Sequence, residues 1–103
     1  MTDVCLKIYV TELQKHHGEL LYEWLLERAK ALGIPGGSAC RAIAGYGRHG
    51  ALREEGFFEL ANDLPVLLEF VVNEEQASQL LSLLKTEQLK LFYTRTPVDS
   101  GIG

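Results

Sequence analysis

This chain has no cationic excess: ten lysines and arginines stand against fourteen aspartates and glutamates, a net charge of −4 over 103 residues. A protein that tracks phosphates along a nucleic acid needs the opposite balance, so a nucleic-acid partner has no electrostatic support. Long apolar runs are also missing. None approaches the roughly 20 residues of a bilayer span, and the N-terminal apolar residues alternate instead of following a charged signal-peptide segment. These absences point to a cytoplasmic protein that does not itself cross a membrane. Cysteine is scarce: Cys5 and Cys40 make neither a disulfide framework nor a zinc ribbon and read as small buried hydrophobes. Repeats, linkers and low-complexity segments are absent, so the chain is one domain with a single thin core.

The segments that are present follow two clear periods. Val4 to Val10 alternates as a strand, with Val4, Leu6, Ile8 and Val10 on one face and Cys5, Lys7 and Tyr9 on the other. A polar turn from Thr11 to Gly18 follows. Glu19 to Leu32 has helical spacing, with Leu21, Trp24, Leu25, Ala29 and Leu32 on one stripe. Arg28 falls on that stripe, either snorkelling near the helix end or pairing with a neighbouring subunit. Gly33 ends the helix and Pro35 prevents its resumption. Ser38 to Ala44 is a second strand of small residues. Pro65 to Val72 is the strongest strand, and its near-continuous apolar run predicts cover on both faces. Asn73 and Gln76 form a capping box for a helix whose stripe is Ala77, Leu80, Leu81 and Leu84. If that stripe is core, Leu81→Ala costs ~2–5 kcal/mol. Leu89 to Arg95 is the last strand.

The order is β-α-β-β-α-β, the split βαβ or ferredoxin-like arrangement. The fold class is therefore α+β, a four-stranded antiparallel sheet with two helices on one face. The domain covers residues 1–96, and 97–103 form a flexible tail. The other sheet face carries Cys5, Tyr9, Leu67 and Val71, too apolar for a monomer's surface, so a further copy of the chain is its expected cover.

The stretch Arg41-Ala-Ile-Ala-Gly-Tyr-Gly-Arg-His-Gly50 holds the chemistry. Glycine backbones let N–H groups approach an anion closely, and arginines beside them offer forked donors. Gly45 to Gly50 is a literal G-x-G-x-x-G with Glu69 downstream. However, Glu69 sits mid-strand and the chain is too short for a dinucleotide-binding sheet. The glycines therefore serve a tight turn or an anion site. His16, His17 and His49 show no ligand spacing, and adjacent histidines are expected to diverge, which reads them as exposed loop residues with no metal. Lys7 and Glu69 face each other on neighbouring strands, as a cross-strand pair or with Lys7 toward a ligand.

Five blocks resemble one family. Leu6-Lys-Ile-Tyr-Val10, Leu21-Tyr-Glu23, Gly33-Ile-Pro-Gly-Gly-Ser38, Arg41-Ala-Ile-Ala-Gly-Tyr-Gly47 and Asp63-Leu-Pro-Val66 are similar to the signature segments of the domain-of-unknown-function-190 family, small PII-like proteins of prokaryotes. Ala42 and Tyr46 stand where that family commonly has glycine and phenylalanine. The resemblance implies a PII-like homotrimer with small effectors, commonly adenine nucleotides, in inter-subunit clefts. It also implies a partner-contacting loop between the second and third strands.

The resulting expectation is a non-catalytic, cofactor-free regulatory or sensor protein. An anionic effector meets Arg41, Gly45, Tyr46, Gly47 and Arg48, and the 48–62 loop contacts a partner protein. Two other classes stay open: a small ferredoxin-like enzyme with an inter-subunit active site, and a metal-binding PII/CutA-like trimer.

Overall fold

The computed structural model describes residues 3–45 and 64–103. Strand β1 (Asp3–Thr11) leads into a short hairpin, β2 (Lys15–His16) and β3 (Glu19–Leu20), then helix α1 (Leu21–Ala31) and strand β4 (Ser38–Arg41). After residue 64 come β5 (Pro65–Val72), helix α2 (Glu74–Thr86) and β6 (Tyr93–Val98). The main sheet has the order β4-β5-β1-β6, with every neighbouring pair antiparallel. Each helix therefore carries the chain over one intervening strand, and the two crossovers interleave. This is the ferredoxin-like topology.

Alternation in β1 and β5 builds the core. Val4, Leu6, Ile8 and Val10 pair with Val72, Phe70, Leu68 and Val66, and all eight are buried. Leu21, Trp24, Leu25 and Ala29 of α1 and Ala77, Leu80 and Leu84 of α2 close over that face. Leu81 is only half-buried, so the large-to-small penalty expected there belongs to Leu80, which is fully enclosed. Arg28 lies exposed at the edge of the α1 stripe.

Three elements have a boundary that differs by two residues or more from the sequence reading. Helix α1 starts at Leu21 because Glu19 and Leu20 are held in the hairpin, where they pair with His16 and Lys15. Strand β4 stops at Arg41. The last strand runs from Tyr93 to Val98 instead of Leu89 to Arg95, because the Leu89 N–H is already used, donating to the Leu84 carbonyl at 2.9 Å to close α2. Leu89 and Leu91 still pack half-buried against the core from outside the strand. Cys40, expected inside, is exposed on the edge strand, whereas Cys5 is buried.

The open sheet face is less covered in this chain than the apolar run of β5 implied. Val71 and Phe92 are 42% and 43% exposed, and the Tyr9 ring packs tilted against Phe92 with centroids 5.2 Å apart.

Both helices end in the same hydrogen-bonded motif, with different residues at its left-handed position. In α1, Ile34 N–H donates to Ala29 O and Gly33 N–H to Lys30 O, with Gly33 at φ 87. In α2, Leu89 N–H donates to Leu84 O and Gln88 N–H to Lys85 O, with Gln88 at φ 59. Glycine takes that conformation without steric cost and glutamine does not. Gln88→Gly should therefore stabilise the fold by about 0.5–1 kcal/mol. The urea midpoint at fixed protein concentration reads this, and a lowered midpoint would mean the Gln88 side chain outweighs its backbone strain.

Candidate functional site

One end of the sheet gathers the groups that matter. Arg41 closes β4 opposite Val66, at the start of β5. The Ala42 N–H donates to the Pro65 carbonyl at 2.9 Å, and the Glu12 N–H to the Leu64 carbonyl at 2.8 Å. The end of β1, the exit of β4 and the entry to β5 are thus tied together by backbone bonds. The chain between β4 and β5 leaves and returns at this point.

Arg41, the first expected anion contact, is exposed, and its guanidinium is paired with the Glu12 carboxylate. An incoming anion would therefore have to compete with an internal carboxylate. Gly45 lies nearby, and a Cβ built on it would meet Pro65 Cγ at 3.6 Å, an ordinary contact. Its φ lies outside the left-handed region, so Gly45 is not required there for backbone conformation. Tyr46, Gly47 and Arg48, the other expected contacts, lie outside the described residues, as do His49, the 48–62 loop and its Phe57 and Phe58. Glu12 was missed by sequence reasoning, because only the backbone tie to Leu64 brings it beside β4.

On the open face, Lys7 and Glu69 are register partners as expected. Glu69 also accepts from the Cys5 thiol at 3.3 Å. Burial, that hydrogen bond and the Glu69 charge together push the Cys5 thiol above its ordinary value, which keeps it protonated and unreactive. Cys5 and Cys40 sit on β1 and β4 with β5 between them, and both are free thiols.

The histidines correct the sequence reading. His16 and His17 do not diverge into solvent: their ring centroids lie 4.0 Å apart. Both Nε2 atoms lie 2.9 Å from the same Oε1 of Glu87, the residue that caps α2. The His16 side chain is 14% exposed and packs edge-on against Trp24 at 4.6 Å, whereas the His17 side chain is 61% exposed. Hydrogen bonds from His16 and then His17 hold the Glu87 carboxyl below its ordinary range. The cause of the convergence is the turn. His17 at φ 52 and Gly18 at φ 82 form a two-residue hairpin loop with both residues left-handed. In an extended strand, consecutive side chains point to opposite faces, but a left-handed residue breaks that alternation. A His-Gly pair between two short alternating segments was the available signal, since histidine tolerates this region better than most residues.

Among the described residues, no helix is long and apolar enough to cross a membrane.

Comparison with known proteins agrees with this architecture. A UPF0166 protein of Aquifex aeolicus is 39% identical over 80 residues, covering 78% of this chain and 76% of that protein. A UPF0166 protein of Methanocaldococcus jannaschii is 39% identical over 79 residues, covering 77% and 72%. Among solved structures, a protein described as a PII-like signaling protein from Thermus thermophilus superposes with a TM-score of 0.65 at 22% identity, covering 94% of this chain and 86% of that one. CPII, a nitrogen regulatory PII-like protein from Thiomonas intermedia solved with ADP, AMP and bicarbonate, superposes with a TM-score of 0.53 at 21% identity, covering 99% and 98%. The family model DUF190, described as an uncharacterized ACR, matches residues 3–99. With its interleaved crossovers, its four-stranded antiparallel sheet and this match along nearly the whole chain, the protein belongs to the DUF190 family and has the PII-like form of the ferredoxin-like fold.

Proposed function

We propose that this protein is a cytoplasmic PII-like regulator, without catalysis of its own. It binds a small anionic effector, best fitted by a nucleotide phosphate, where β4 runs toward Gly45. The observation that carries the reading is Arg41, placed at the base of the β4–β5 connection and held by Glu12. The ADP, AMP and bicarbonate bound to CPII support anions as the effector class. Arg41 and Gly45, with Tyr46, Gly47 and Arg48 beyond the described residues, supply the contacts, and residues 48–62 reach the partner protein. Effector binding exchanges Glu12 for a phosphate on Arg41 and biases the attached loop between partner-bound and free states.

Calorimetry against ADP, AMP, ATP and bicarbonate tests this. Arg41→Ala should weaken binding about tenfold, the loss of roughly 1.4 kcal/mol of charge-assisted contact. Glu12→Gln should tighten binding, by up to about fivefold, since an exposed ion pair holds at most about 1 kcal/mol. Absence of binding across the panel ends the reading. Binding that ignores both substitutions places the effector elsewhere.

The same reading requires a homotrimer, whose subunits cover the Tyr9, Val71 and Phe92 face and form the effector clefts. Native mass spectrometry should give three chains per particle. A dimer would keep the burial argument and refute the PII-like assembly, and a monomer would refute both.

A further inference from the structure

We propose that His16, His17 and Glu87 form a binding site for one divalent transition-metal ion of the zinc type, where the β2–β3 hairpin meets the end of α2. The three ligand atoms all lie within 4.8 Å of one another, and two of their separations are 2.9 Å. A tetrahedral zinc ion about 2.0–2.1 Å from nitrogen and about 2.0–2.2 Å from oxygen sets its ligands about 3.3 Å apart. The two contacts to Glu87 therefore open by about 0.4 Å to admit the ion. Two imidazoles and one carboxylate are a donor set for borderline cations such as Zn2+ and Co2+, and three protein ligands leave a position for water. Each imidazole binds through its Nε2 lone pair with its proton on Nδ1, so the ion replaces the two contacts that now end on one carboxylate oxygen.

The backbone around the cluster is what brings the three ligands together. Among the described residues, only two non-glycines have left-handed φ, His17 at 52° and Gln88 at 59°. One is a ligand and the other follows a ligand directly. Here His17 turns its ring onto His16, and Gln88 ends α2 so that Glu87 caps the helix beside the hairpin. Trp24, 8% exposed, holds the His16 ring from behind.

Trp24 is the only tryptophan in the chain and makes the site directly readable. Tag-free protein, stripped with chelator, is titrated with Co2+ while indole emission and visible absorption are followed. Saturable quenching at one ion per chain is expected, with ligand-field bands of a four- or five-coordinate ion, and Zn2+ should restore the emission by displacing Co2+. His17→Asn removes a ligand but keeps a residue favoured in this hairpin turn, and Glu87→Gln keeps the side-chain shape. Each should weaken binding by at least about tenfold, with thermal unfolding confirming that the variants fold. No saturable quenching, or affinity unchanged in both folded variants, would overturn the site and leave two histidines hydrogen-bonded to a helix cap. Nucleotide calorimetry run in chelator keeps the effector question separate, because the metal titration fails or succeeds without reference to Arg41.

Discussion

Phe70→Ala should cost about 3–5 kcal/mol of stability, the range for removing a buried aromatic from a packed core. Phe70 is 1% exposed in the second of the two central strands, opposite Leu6, which is fully buried. It lies in β5 beside β1, and both strands are bonded to neighbours on both sides, so the cavity cannot collapse by strand movement. A thin core in a small domain has little stability to spare. The variant should therefore unfold at a much lower urea midpoint with an unchanged m-value. A loss below about 1 kcal/mol would show that the ring is replaced by collapse of the Gly36–Gly37 turn.

A Cβ on Gly37 would sit 2.4 Å from Phe70 Cε1, 2.7 Å from Cδ1 and 3.3 Å from Leu26 Cδ2. The ring cannot retreat into a filled core, so the turn itself must move outward. Gly37→Ala should cost about 1–3 kcal/mol, as overpacking does. Close approach, not backbone conformation, is what requires glycine here, since Gly37 does not have left-handed φ. A double-mutant cycle separates the two explanations. In a Phe70→Leu background the shorter side chain relieves the contact, and Gly37→Ala should cost measurably less. Equal cost in both backgrounds would refute the packing account.

The two strongest strands and both helices were legible because each obeys one period. Alternation in residues 4–10 and the apolar run of 65–72 gave β1 and β5, and Asn73 with Gln76 makes the capping box with both reciprocal bonds. Gly33 ends α1 as its position indicated. The last strand was less legible. Leu89 and Leu91 alternate like strand residues, yet they pack against the core before the chain reaches the sheet. Alternation reports which side chains face the core, not which backbone groups are bonded. Cys40 misled for a related reason: its residue type favours burial, but its strand lies at the sheet edge.

By itself the sequence determined the class of fold, most of the core and the place from which the long connection departs. These depend on periodicity and on residues close together in the chain. Leu32, expected on the α1 stripe, is exposed, and Ile34, which was not expected in the core, is buried. Tertiary structure alone decided what surrounds the chemistry. Glu12 reaches Arg41 across 29 positions, and Glu87 meets His16 and His17 across 71 and 70. No local pattern encodes such distances. They arise because interleaved crossovers bring the end of β1, the exit of β4 and the end of α2 to one edge of the domain. The convergence of the two histidines also hung on the left-handed pair His17 and Gly18, a turn which the residue names permit but do not require.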